Sequence, residues 1–183
     1  MTLGAGRRSG LTFPSLLRPV GAPWLRLLFG ATRRIPLITD ALRRMEVIHV
    51  ARWAIVERLP GATQRLPRRL LLSLFDYDGD LLTYIDVFAA SVPWRFRGVW
   101  STSYGYPGLI PTDGFNRWVH EVEPPGGGHY FAANDGASVT MIGQALRLQE
   151  AFAAFRVEQR DEADDEAFAA AFWRFATETQ PWL

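Results

Sequence analysis

Two apolar segments joined by a proline-punctuated loop set the terms for this chain. Val47–Glu57 (VIHVARWAIVE) and Arg69–Phe75 (RLLLSLF) are dense in β-branched and large apolar residues, the composition of a pleated, buried surface. Residues 58–68 between them hold Pro60, Gly61 and Pro67, which is loop chemistry. A connection this short suits antiparallel neighbours, because parallel strands need a crossover, usually a helix. The two segments are therefore expected to pair as a hairpin. Successive side chains of a regular strand alternate between faces. That places His49 with Ala51, Trp53 and Ile55, and Arg52 on the opposite face with Val50, Ala54 and Val56. Both faces are apolar enough to need cover.

The rest of the chain fits around this hairpin. Residues 36–45 (PLITDALRRM) read as a short helix with Pro36 in its first turn. After the hairpin comes DYDGD, residues 76–80, in which Asp78-Gly79 signals a turn and Asp80 can cap the helix expected over 81–92. Pro93 should end that helix. Gly98–Tyr104 (GVWSTSY) reads as a third strand and His129–Ala133 (HYFAA) as a fourth, with a short helix from Asp113 to Glu121 between them. PPGGG at 124–128 is loop. Ser138 is placed to cap a long helix, and a last helix over 164–176 carries Phe168, Phe172 and Phe175 on one stripe.

This order implies an α+β domain with a four-stranded, mostly antiparallel sheet and helices on one face. The arrangement expected is ferredoxin-like, with a permuted strand order as the variant. Its other sheet face would be apolar. It would need cover from the N-terminal residues, from the C-terminal helices, or from a second subunit, which would make a dimeric α/β barrel.

Charge divides the chain further. All 20 basic residues are arginine, which points either to compositional bias or to planar, bidentate contacts with carboxylates and phosphates. Residues 1–45 carry eight arginines against Asp40, and residues 157–183 carry seven acids against Arg160 and Arg174. We therefore expect a basic arm over 1–34, a globular domain over 35–156 and an acidic helical extension over 157–183. Arg18 and Arg26 interrupt any signal-peptide core, and no run is long enough to span a bilayer. The piece from Trp24 to Phe29 could lie on an anionic membrane surface, or against a protein partner, with Trp24, Arg26, Arg33 and Arg34 in contact. The location expected is cytoplasmic, with this peripheral contact.

Few residues could carry chemistry. Cysteine is absent, which excludes disulfides and thiolate chemistry. His49, His120 and His129 are widely spaced and no HExxH occurs, so no metal is expected. DYDGD lacks the distal Glu of an EF-hand loop. His49, Arg52 and Asp78 are the catalytic candidates, with Arg52 expected to need Asp76 or Asp78 as a buried partner. Asp76, Trp100 and Tyr104 are the ligand-binding candidates. Ser101 and Ser103 lack a nucleophile elbow, no phosphate or dinucleotide loop is present, and the basic residues lie off the strands, against a nucleic-acid platform.

Several segments resemble a family of uncharacterised bacterial proteins. They are IHVARW (48–53), YDGDLLTYIDVF (77–88), VWSTSYGYP (99–107), FNRW (115–118) and HYFAANDGASVTMI (129–142). The family motifs are an IHFARW strand, a SNYDGSWxxYLDDF turn–helix, a VWSNTxGFP strand and a WYxAYP segment leading into a helix. The resemblance covers about residues 46–150 and implies a shared domain; the family has no assigned reaction. This chain departs from it at Asp76 (Asn in the family), Leu81 (Trp) and Val87 (an acid). The function expected is that of a non-catalytic accessory protein, docking through its basic arm and acidic tail onto a larger assembly or a membrane, or self-associating. The alternative is a small-molecule enzyme or haem-binding domain of the dimeric α/β barrel type.

Overall fold

The computed structural model describes residues 8–35, 40, 42–91, 93–124, 129–160 and 164–183. Its elements are β1 (Arg8–Leu16), α1 (Gly21–Thr32), β2 (Ile48–Val56), β3 (Leu70–Asp78), α2 (Leu81–Ser91), α3 (Pro93–Trp100), α4 (Thr112–Val122), α5 (Val139–Glu158) and α6 (Asp165–Thr179), then a 3-10 turn at Gln180–Trp182. Two compact units divide the chain, Met1–Gly136 and Ala137–Leu183. The fold is α+β: among the described residues it has one three-stranded antiparallel sheet, in the order β1-β3-β2, and six α-helices.

The hairpin forms as its composition requires. β2 and β3 pair antiparallel, with Val56 opposite Leu70 and Ala51 opposite Phe75. β3 runs on through Asp78, so Asp76 and Asp78 are strand residues and the turn begins at Gly79, whose φ is +93°.

Part of the basic arm is a strand of the sheet. Residues 8–16 form the second neighbour of β3, with Arg8 opposite Asp78 and Leu16 opposite Leu70. Leu11, Phe13 and Ser15 point inward and are buried, a period-two pattern masked by Gly10 and Pro14. Proline is tolerated here because β1 lies at the sheet edge, where a missing N–H can face away from the ladder. Helix α1 then joins β1 to β2 across β3, so the boundary expected at 34/35 falls inside one unit.

The four-stranded sheet is a correction. Residues 93–100 are helical, not the start of a strand: Pro93 occupies a first-turn position and Phe96, Val99 and Trp100 are buried at helical spacing. Only the following turn returns to β1. Arg18 N donates to Thr102 O (2.9 Å), Tyr104 N donates to Leu16 O (2.8 Å), and Leu17 and Ser103 form a single isolated bridge. Residues 129–133 form no strand. The helix expected over 36–45 falls largely outside the described residues, as do residues 1–7 of the arm and 125–128 of the PPGGG loop; residues 40, 42 and 43 are helical.

Odd-numbered β3 residues face the helices. Leu71, Ser73, Phe75 and Tyr77 are buried and the even positions are half-buried. Aromatic rings fill this side: Phe13 and Phe75 lie 5.9 and 6.0 Å from Trp100, Tyr77 stacks on Tyr84 at 4.2 Å, and Phe13 meets Trp118 edge-on. Burial of one such side chain contributes about 1.5–3 kcal/mol. Two polar pairs inside this core are satisfied: Trp100 Nε1 donates to Ser73 Oγ (3.3 Å), and the Ser15 and Ser103 hydroxyls lie 3.0 Å apart.

The second unit is a pair of helices. Ser138 caps α5 by accepting from Met141 N, and Asp164 caps α6 by accepting from Glu166 N. Phe155 packs against Phe175 (5.0 Å) and Phe168 (5.9 Å). α5 thus groups with the acidic tail in the unit Ala137–Leu183. Among the described residues no helix is long and apolar enough to cross a membrane.

Candidate functional site

Polar side chains collect at the two ends of the sheet. At one end β1 and β2 begin and β3 finishes. The register of β2 slips between Ile48 and Val50, which leaves His49 as an extra residue. Such a bulge re-aims a side chain. His49 turns to the even-numbered face of β3, where its Nε2 lies 2.8 Å from Asp78 Oδ1, with the side chains 6% and 12% exposed. Arg8, directly opposite Asp78 on β1, lays its guanidinium along the imidazole, Nη2 against Nδ1 and Nε 3.0 Å from Nε2.

A ring nitrogen offers one in-plane site, so Nε2 cannot both donate to Asp78 and accept from Arg8. One proton assignment satisfies all three groups: Nε2–H donates to Asp78, and the Nδ1 lone pair accepts from Arg8. That lone pair is then occupied, leaving His49 none with which to take a proton from a substrate. The cluster ties three strands together across β3.

Tyr130 closes the same end. Its hydroxyl donates to Asp76 Oδ1 (2.7 Å), and Arg8 N donates to Asp135 O (3.3 Å). Partial burial and then the Asp76 carboxylate push the Tyr130 phenol up to about 12. The ring lies so close to β1 that a Cβ at Gly10 would be 2.3 Å from its Cδ2. Gly10 is what lets the ring approach.

At the opposite end, β1 and β2 finish and β3 begins. An open cavity of about 360 Å³ is lined there by Arg18, Arg65, Arg68, Arg69, Glu57 and Tyr104 among others. Glu57 Oε1 accepts from both Arg26 Nη2 and Arg69 Nε, each at 2.8 Å. The hydrogen bond from Arg26, with the charges of Arg26, Arg69 and Arg65, holds the Glu57 carboxyl below the usual carboxylate range. The guanidinium carbons of Arg68 and Arg18 lie 4.7 and 5.9 Å from the centre of the Tyr104 ring. Among the described residues no ion pair reaches Arg18, Arg65 or Arg68.

Of the other sequence candidates, Arg33, Arg52 and Trp100 line one cavity and the rest lie apart. Arg52 is exposed, opposite Leu74, and forms no ion pair among the described residues; the acid partner expected for it is not needed because it is solvated. The bulge puts His49 and Arg52 on one face, contrary to the alternation of a regular strand. Trp100 is a core residue, 1% exposed. It also walls a cavity of about 430 Å³ with Phe29, Trp53, Trp94, Phe96 and Arg33; the buried Trp53 Nε1 has no hydrogen-bond partner. Trp24 donates its indole N–H to Gly98 O (2.7 Å), Arg26 is bound to Glu57, and Arg33 and Arg34 are exposed at the end of α1. No group of three or more metal-ligating side chains occurs among the described residues.

Arg8, Tyr130, Arg18, Arg65, Arg68 and Glu57 were not singled out from sequence. The arginine-only composition was a signal for the basic cavity, but not for its position. A scan against protein-family models, a search of curated proteins and a search of solved structures each found no match.

Proposed function

We propose that this is a non-catalytic accessory protein that docks peripherally on an anionic membrane surface through α1. One observation carries the reading. A surface helix normally turns a charged or polar stripe to water, whereas α1 turns out Val20, Pro23, Trp24 and Leu27, with Val20 69%, Leu27 68% and Trp24 43% exposed. Leu25 and Ala22 hold its opposite side in the core. Exposed Arg26 lies along the stripe and exposed Arg33 and Arg34 flank it, the pairing of apolar and cationic groups that favours a headgroup boundary. The acidic C-terminal unit would serve a protein partner.

Architecture belongs to the same reading. The β1–α1–β2 crossover with β3 inserted matches the first half of a ferredoxin-like sheet, and the Leu17–Ser103 bridge stands where a fourth strand would run. Residues 46–150 would then be the domain shared with the family they resemble, and a second copy over Leu70, Leu72 and Leu74 would make the dimeric barrel. The enzyme or haem alternative has less support, because His49 is held by Arg8 and Asp78 and lines neither cavity.

Co-sedimentation with vesicles tests the docking. The protein should pellet with vesicles containing phosphatidylglycerol and not with pure phosphatidylcholine, and salt should release it. Leu27→Asp should abolish binding with little change in melting temperature, since Leu27 is exposed. Equal binding by Leu27→Asp would overturn the reading.

A further inference from the structure

We infer that the cavity framed by Arg18, Arg65, Arg68 and Tyr104 is a binding site for a phosphate group, carried by a phosphomonoester or a diphosphate. The inference is independent of membrane docking. It starts from charge. Glu57 is the carboxylate in the cavity wall, and it is already held by Arg26 and Arg69. Arg18 and Arg68 remain as cations with no acid among the described residues, and Arg65 feels the charge of Glu57 without forming an ion pair with it. Like charges repel, yet Arg18 and Arg68 converge on one tyrosine ring. The ring face offsets part of that repulsion and orients both guanidinium groups. Guanidinium is planar and presents a fork of N–H donors that matches phosphate oxygens in pairs. A dianion fits the free guanidiniums of Arg18 and Arg68, with Arg65 beside them, better than a monocarboxylate does.

Backbone contacts hold the frame. Leu66 N donates to Glu57 O (2.8 Å) and Leu17 N to Arg69 O (2.8 Å), which closes the β2–β3 loop beneath the cavity. Tyr104 N donates to Leu16 O, which fixes the tyrosine beside Arg18. Gly61, at φ +76°, and Gly105, at φ +73°, occupy the left-handed positions that the loop and the Tyr104 turn require. A volume of about 360 Å³ lies within the range of small-ligand sites.

Titration calorimetry with pyrophosphate, at fixed ionic strength, tests this on the full chain. Pyrophosphate should bind, and chloride at equal ionic strength should not displace it. Arg68→Ala and Arg18→Ala should each weaken binding about tenfold or more, while Arg117→Ala, exposed on α4 and outside the cavity, should leave it unchanged. Without ligand, Arg68→Ala should melt close to the parent, since it removes no ion pair and the ring contact it loses is offset by the repulsion it relieves; this separates lost binding from lost folding. A second arm identifies the source of the phosphate. Vesicles bearing phosphatidate, a monoester, are compared with phosphatidylglycerol, a diester, in the Leu27→Asp background, where docking through α1 is removed. Retention by phosphatidate alone, competed by pyrophosphate and lost in Arg68→Ala, would assign a lipid headgroup. Pyrophosphate binding without retention would assign a soluble phosphorylated molecule. Pyrophosphate binding that is absent, or indifferent to Arg18 and Arg68, overturns the site.

Discussion

The two ends of the sheet use the same residue type to opposite effect. At the end where β3 finishes, Arg8 is tied into a hydrogen-bonded set with His49 and Asp78, the latter two 6% and 12% exposed. At the end where β3 begins, arginines outnumber the carboxylate they surround, and the space among them is open. Desolvated charges must be paired, because leaving one unpaired costs several kcal/mol. Solvated charges need no partner and remain free to take one from solution. Chemistry that looks catalytic in a list of residues, a His beside an Asp, is therefore the closed end. The end with capacity for a ligand is the one with no His.

Substitution should separate the ends most sharply through His49. His49→Ala leaves Asp78 and Arg8 across a gap and should destabilise the fold by about 2–3 kcal/mol, read as a lower urea midpoint with an unchanged slope. Arg68→Ala should stay within about 0.5 kcal/mol of the parent. Equal losses from the two substitutions would erase the distinction between a structural end and a binding end.

A smaller effect tests the covering of the closed end. Tyr130→Phe removes the donor to Asp76 and should cost about 1 kcal/mol. Gly10→Ala pushes a Cβ into the same ring and should cost at least as much. If both act by loosening that one contact, the double variant will cost less than the sum of the singles. Additive losses would mean that Gly10 matters to β1 itself and not to the tyrosine.

What the sequence made legible follows the range of the interactions involved. The β2–β3 pairing, the Asp80 and Ser138 caps and the positions of α2, α4, α5 and α6 depend on neighbours within a few residues, and could be read. β1 could not, since Gly10 and Pro14 argue against a strand unless the strand is known to be an edge. Residues 98–104 carry strand-favouring Val, Trp, Thr and Tyr, and the helical spacing of Phe96, Val99 and Trp100 outweighed that propensity once a core existed to bury them. At the site, His49 and Asp78 were legible as polar groups in apolar strands. Their partner was not: the bulge at His49 depends on the β3 register, and Arg8 arrives from 41 residues away. Arg52 looked like a buried cation only because its strand was read as covered on both faces.

The last effect appears only at alkaline pH, where the two ends should part company again. Burial, followed by the charges of Glu123 and Asp80, pushes the Tyr77 phenol up to about 12, and burial also raises Tyr84, stacked on it. In the unfolded chain both would ionise near pH 10. A raised folded-state value means that their contribution is complete below about pH 10 and is lost as the pH climbs through the folded value. Stability should thus fall by about 1.4 kcal/mol per pH unit for each such tyrosine above pH 10, tracked by urea midpoints together with phenolate absorbance. The arginines keep their charge through this window. Pyrophosphate binding should therefore persist for as long as the phenols under the sheet stay protonated. Binding that vanished while Tyr77 was still protonated would show that the open end depends on a titrating group other than its guanidiniums.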